Sequence, residues 1–211
     1  MLVGSQIFRI QARFRRTVSF CQPLPWNRIM TFSLIIPILV SGVALFIASF
    51  LSWMVLQLHK QDWVKLAQED KFLEAARGCD LSTGSYVFPA CSSPEEMKSE
   101  EFIKKQEAGP CGFMTVTGRV KMGRNLGLTL VYFLIASFCL AYLTTLVFRP
   151  GDKADFMTIF RFVSTASFLT FFSAIVPHAI WFKCRIVGHL IESLAFAAII
   201  GAIFGAMWPA A

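Results

Sequence analysis

Three histidines and one acid define the only cluster in this chain whose residue types and spacing suit chemistry. The histidines are His59, His178 and His189, and Glu192 follows His189 by three residues. A spacing of three puts His189 and Glu192 on one side of a shared helix. Imidazole changes charge near neutral pH and ligates transition metals. Imidazoles with a carboxylate beside them either pass protons or hold a metal ion. Each residue also has a plainer role. His59 suits an interfacial position facing headgroups. His178 follows Pro177 and suits bonding to a carbonyl that the proline frees. Glu192 suits pairing with His189, with Lys183 or Arg185, or with another helix. Three readings therefore stand for the cluster: structural pairing, a proton or ion path, and a metal site. Structural pairing is the simplest, and no cofactor is expected. The chain lacks a Walker loop, GxSxG, HExxH, a CxxC pair and a dinucleotide fingerprint.

Composition says what kind of elements must position these groups. The 211 residues are 55% hydrophobic and 16% charged, with a mean hydropathy of +0.59. A soluble domain carries about 25% charged residues. The balance excludes a disordered chain, a collagen-like fibre and a basic, polar nucleic-acid-binding domain. It points to a multi-pass membrane protein. The net charge of +7 then serves orientation and lipid headgroups before anything else. Phenylalanine, at 22 residues, suits lipid-facing helix surfaces.

Four apolar stretches are long enough to span a bilayer, which needs roughly 20 residues. They run over about Met30–Leu58, Leu126–Phe148, Phe156–Phe182 and Ile186–Trp208. The short turns Arg149–Asp152 and Lys183–Arg185 force spans two to four to be adjacent and antiparallel. Residues 1–29 form a basic arm with five arginines and no acid. Two readings stand for it: a membrane-surface or targeting segment, or an upstream start-site artefact, because Met30 opens a natural first span. The membrane domain is then 30–211. Arg161, one turn into span three, suits snorkelling to the interface, with Asp152 or Asp155 as partner. Gly201 and Gly205 in span four allow close backbone approach. Their use is a dimer seam or, as the preferred reading, tight packing inside the same bundle.

Between spans one and two, residues 59–125 form an extramembrane lobe with ten basic and ten acidic residues. The spacing over 60–77 predicts an amphipathic helix capped by Gly78. Ser93-Pro94-Glu95-Glu96 predicts a second helix start, ending near Gly109-Pro110. Ser85–Phe88 and Phe113–Val120 are short extended runs suited to pairing. Cys79, Cys91 and Cys111 are an odd number for disulfides and suit a reducing compartment.

Counting spans brings His59, His178, His189 and Glu192 to the lobe-side membrane face. Lys60, Lys65, Lys183 and Arg185 flank that face, against Arg149, Lys153 and Arg161 on the other. The positive-inside tendency makes the lobe cytoplasmic when Met30 is the start.

Several stretches carry a resemblance: SFLSWMVLQLHKQDWVKLAQED (49–70), TGSYVFP (83–89), GPCGFMTV (109–116), AIWF (179–182) and FGAMWP (204–209). Together they resemble a family of small bacterial four-helix membrane proteins with no assigned function. The resemblance covers about 30–209 and implies an inner-membrane location, four spans, a start close to Met30 and usually an Asp where this chain has Glu192. It implies no reaction. The expected fold class is thus all-α, a four-helix multi-pass transmembrane bundle with a small mixed lobe between helices one and two. The expected role is a non-enzymatic scaffold or interaction protein. Its partners are the lipid bilayer and a second copy or another membrane protein, not nucleic acid. The alternative is a small transporter or proton- or ion-conducting protein using the Glu/His cluster. A metalloprotein is a third class.

Overall fold

The computed structural model describes residues 32–151 and 153–209. The basic arm 1–29, the Met30 start and Asp152 lie outside the described residues. Four helical stretches are long and apolar enough to cross a membrane: Ile35–Val55, Met122–Thr145, Phe156–Phe182 and Val187–Met207. The first consists of α1 (Ile35–Phe50) and a π-helical turn, Leu51–Val55. The lobe follows with α2 (Glu69–Gly78), β1 (Gly84–Phe88), α3 (Pro94–Met97), α4 (Glu100–Ala108) and β2 (Gly112–Val116). Span two is α5 (Met122–Thr145), span three is α6 (Phe156–Phe172) plus α7 (Ile175–Phe182), and span four is α8 (Val187–Met207).

The four spans form a ring. The α1 helix packs on α5 and on α8, α6 lies along α8, and α5 touches α6 over a shorter length. Leu45, Ile159, Val163, Ile200 and Phe204 fill its interior. Phe133, Phe171 and Phe196 meet at its centre, their ring centroids 5.2–6.0 Å apart. The longest helix contact is between α6 and α8, and it is close. A Cβ at Gly201 would collide with Ser164 Oγ and lie 3.1 Å from the Phe160 carbonyl. One at Gly205 would lie 2.8 Å from the Phe156 ring. Ser164 Oγ donates to the Ala197 carbonyl across this contact (2.9 Å). Both glycines therefore serve packing within the bundle, where small residues let helices approach.

Span three bends where its sequence requires it. Proline clashes with the carbonyl four residues earlier, which for Pro177 is that of Ser173. The helix breaks between Phe172 and Ile175, leaving Pro177 in the first turn of α7. There a missing N–H costs nothing. Asp155 caps α6 by accepting from the Thr158 backbone N–H and hydroxyl. That hydrogen bonding holds its carboxyl below the usual value. Its side chain is thereby committed to the helix start rather than to Arg161, which is exposed.

The lobe differs from its sequence expectation in four places. The first helix occupies only Glu69–Gly78, not 60–77. Residues 57–62 instead make tight turns, with Lys60 N–H donating to Gln57 O and Asp62 N–H to His59 O (both 3.0 Å). These turns consume the residues that would have started the helix. Gly78 is its last residue rather than its cap, and the left-handed position falls at Asp80 (φ 48°). The second helix is two helices. Ser93 caps α3 and Ser99 caps α4, each side chain accepting a backbone N–H three residues on. A second serine cap restarts the chain in a new direction. Gly109 (φ 58°) ends α4. The two strands pair antiparallel, Gly84 opposite Val116 and Phe88 opposite Gly112. The second strand stops at Val116 rather than Val120. Residues 122–125, read as lobe, form the first turn of α5. Cys79, Cys91 and Cys111 are free thiols.

Candidate functional site

The polar centre is built where span one ends. At Leu51 the helix widens by one residue per turn, and Leu56 N–H donates to Leu51 O (2.8 Å). Such π-turns often mark functional sites. Gln57 then adopts φ 50° and turns the chain back under the bundle. That reversal carries His59 inward, where it is 2% exposed.

Four side chains surround the His59 ring. Trp53, six residues earlier, stacks on it with centroids 4.1 Å apart and planes 17° apart. His189 from the first turn of α8 lies at 4.5 Å, tilted by 48°. Asp62 Oδ2 is 2.7 Å from His59 Nδ1, within hydrogen-bond reach. Glu192 Oε2 is 3.4 Å from His59 Nε2, at ion-pair distance but without hydrogen-bond alignment. The Glu192 Oε1 atom is buried with no hydrogen-bond partner. Gly188 makes the approach feasible, since a Cβ there would lie 3.1 Å from the imidazole and 3.2 Å from the Leu58 carbonyl.

His59 is thus wedged between two carboxylates from different parts of the chain. A neutral imidazole can donate to one of them; a protonated one can serve both. One donor atom each from His59, Asp62 and His189 lie within 4.8 Å of one another. The centre can therefore hold a proton between two acids or gather ligands around a cation.

The structure brings together His59, His189 and Glu192 from the sequence reading. It leaves His178 outside, on the exposed surface of α7 with its ring against Phe182 (4.6 Å). Glu192 meets His59 rather than its helix neighbour His189, and among the described residues no ion pair joins it to Lys183 or Arg185. Asp62 and Trp53 were missed as members of the centre. The signal for Asp62 was its spacing of three from His59, masked by the helical reading of 60–77.

A second feature lies in the lobe. A groove of about 760 Å³ runs between α2 and β2, lined by Phe72, Leu73 and Ala76 on one wall and Met114 and Val116 on the other. Arg77 and Asp80 also line it. No known protein family, curated protein or solved structure matches the chain.

Proposed function

We propose that this is a multi-pass integral membrane protein that works by interaction, as a scaffold whose lobe receives a second polypeptide. One observation carries the reading: Phe102 is the only buried residue between positions 60 and 121. A free-standing segment of this length normally encloses a core of its own. Here Phe72, Leu73, Val87, Phe88, Met97, Ile103 and Phe113 all lie exposed. Exposed apolar surface of that extent marks a contact site. The lobe also leans little on the bundle. Phe113 of β2 meets Phe182 at the end of α7, at 4.8 Å, and no lobe helix or strand packs at length on a span. Its equal numbers of basic and acidic residues give no net attraction to anionic lipid, which favours a protein partner. We assign the lobe to the cytoplasmic side of a bacterial inner membrane on its flanking Lys and Arg. Its kinship with the small four-helix family belongs to the same proposal.

Photo-crosslinkers at Leu73 and at Met114, in native membranes, test this. A discrete adduct is expected from both positions and none from lipid-facing Ile135. Adducts absent from both lobe positions would overturn the reading. A second reading, ion or proton conduction, is favoured by the buried, unpartnered Glu192 Oε1. It fails if Glu192→Gln leaves flux in proteoliposomes unchanged.

A further inference from the structure

We propose that the polar centre is a binding site for one divalent transition-metal ion, zinc by its donor set, held by His59 Nε2, His189 and Glu192, with Asp62 on His59 Nδ1 as the outer carboxylate that orients the ring. This inference stands apart from the lobe reading. Two imidazoles with carboxylate oxygens are a usual zinc set, and they suit such ions better than magnesium or calcium, which prefer oxygen alone. The grouping is spatial rather than local. His59 and Asp62 come from the turn after span one, His189 and Glu192 from the first two turns of α8.

The groups are already close. One polar atom each from His59, Asp62 and His189 lie within 4.8 Å of one another. A tetrahedral ion about 2.0 Å from each ligand atom needs those atoms roughly 3.3 Å apart. A small rotation of His189, which is only partly buried, brings its nitrogen toward the ion, while Asp62 keeps its contact with His59 Nδ1. Glu192 Oε2 stands 3.4 Å from His59 Nε2. Two atoms are otherwise poorly served. His59 Nε2 and Glu192 Oε1 are buried without a hydrogen-bond partner, a costly state for polar groups. A cation between them gives the imidazole nitrogen and the carboxylate a common partner. Trp53 on one ring face and the close approach of Gly188 fix the His59 orientation, as supporting contacts do in metal sites. A bound ion here would tie the root of the lobe to span four.

The test is Co²⁺ and Zn²⁺ titration of the full chain in nanodiscs after chelator treatment. Co²⁺ is read by its visible spectrum, and Zn²⁺ by metal analysis and competition. The wild type and His178→Ala should each take up one ion per chain with the same tetrahedral cobalt spectrum. His189→Ala and Glu192→Gln should bind at least about tenfold more weakly. Both substitutions leave His59 and its stacking partner Trp53 in place, so folding is checked by unchanged tryptophan fluorescence. Less than stoichiometric binding by the wild type overturns the proposal. So does binding by His189→Ala and Glu192→Gln equal to that of the wild type, which would make the ion adventitious.

Discussion

The four-helix bundle and the lobe are folded on opposite principles. In the bundle, α6 and α8 meet so closely that Gly201 and Gly205 have no room for a methyl group. Leu45, Ile159, Val163, Ile200 and Phe204 are fully enclosed. The lobe has capped helices and a paired two-stranded ribbon yet encloses only Phe102. Its order rests on local devices: serine caps, turns and the Tyr86 hydroxyl donating to the Ser82 carbonyl (2.9 Å). Its i,i+4 pairs, such as Lys105 with Glu101 at 2.7 Å, are exposed and contribute little. A region built this way holds its shape without sealing its apolar surface. The contrast locates self-sufficiency in the bundle and unsealed apolar surface in the lobe, with the His59 centre as the joint.

Several substitutions break or sharpen that contrast. The largest effect is expected at the joint. His59→Ala leaves Asp62 and Glu192 facing each other without their shared partner, and should cost about 3 kcal/mol in detergent unfolding. Hydrogen exchange should rise over residues 56–64 and at the start of α8 together. Next is Gly201→Leu, which drives a side chain into Ser164 and the Phe160 carbonyl. It should cost about 2–3 kcal/mol and leave lobe exchange unchanged. Phe102→Ala removes the lobe's one enclosed side chain. It should cost about 2 kcal/mol, seen as faster exchange in α4 and the two-stranded ribbon while the bundle midpoint stays put. Phe72→Glu on the groove wall should shift stability by under about 0.5 kcal/mol yet abolish the lobe crosslink. The smallest effect concerns Asp155, whose depressed carboxyl caps α6 through Thr158. A lowered folded-state value means the cap is fully in place above the ordinary carboxylate range and fades as pH falls through the lowered one. The unfolding midpoint of the wild type should therefore drop toward that of Asp155→Asn at acidic pH and exceed it at neutral pH.

The bundle was legible because long apolar runs and tight turns leave few alternatives. Span ends matched to within a few residues, and Pro177 announced the break in span three. The use of Gly201 and Gly205 inside the bundle rather than at a dimer seam needed coordinates, because a small-residue spacing does not say which helix it faces. In the lobe, Ser93 signalled its helix start correctly. Ser99 hid a second start inside what reads as one continuous helix. The centre was half legible. Span counting placed His59, His189 and Glu192 at one face, but rotation about each helix axis decides who meets whom. His178 lies exposed on α7, and the π-turn after Phe50, which has no sequence signature, brought in Asp62 and Trp53.

The most direct test of the central claim is native mass spectrometry on protein gently extracted from its own membrane. The account predicts the chain in complex with a second polypeptide, either another copy or a distinct protein, and loss of that species in Phe72→Glu with the monomer still folded. A clean monomer from the wild type, or a complex that survives Phe72→Glu together with Leu73→Glu, would contradict it.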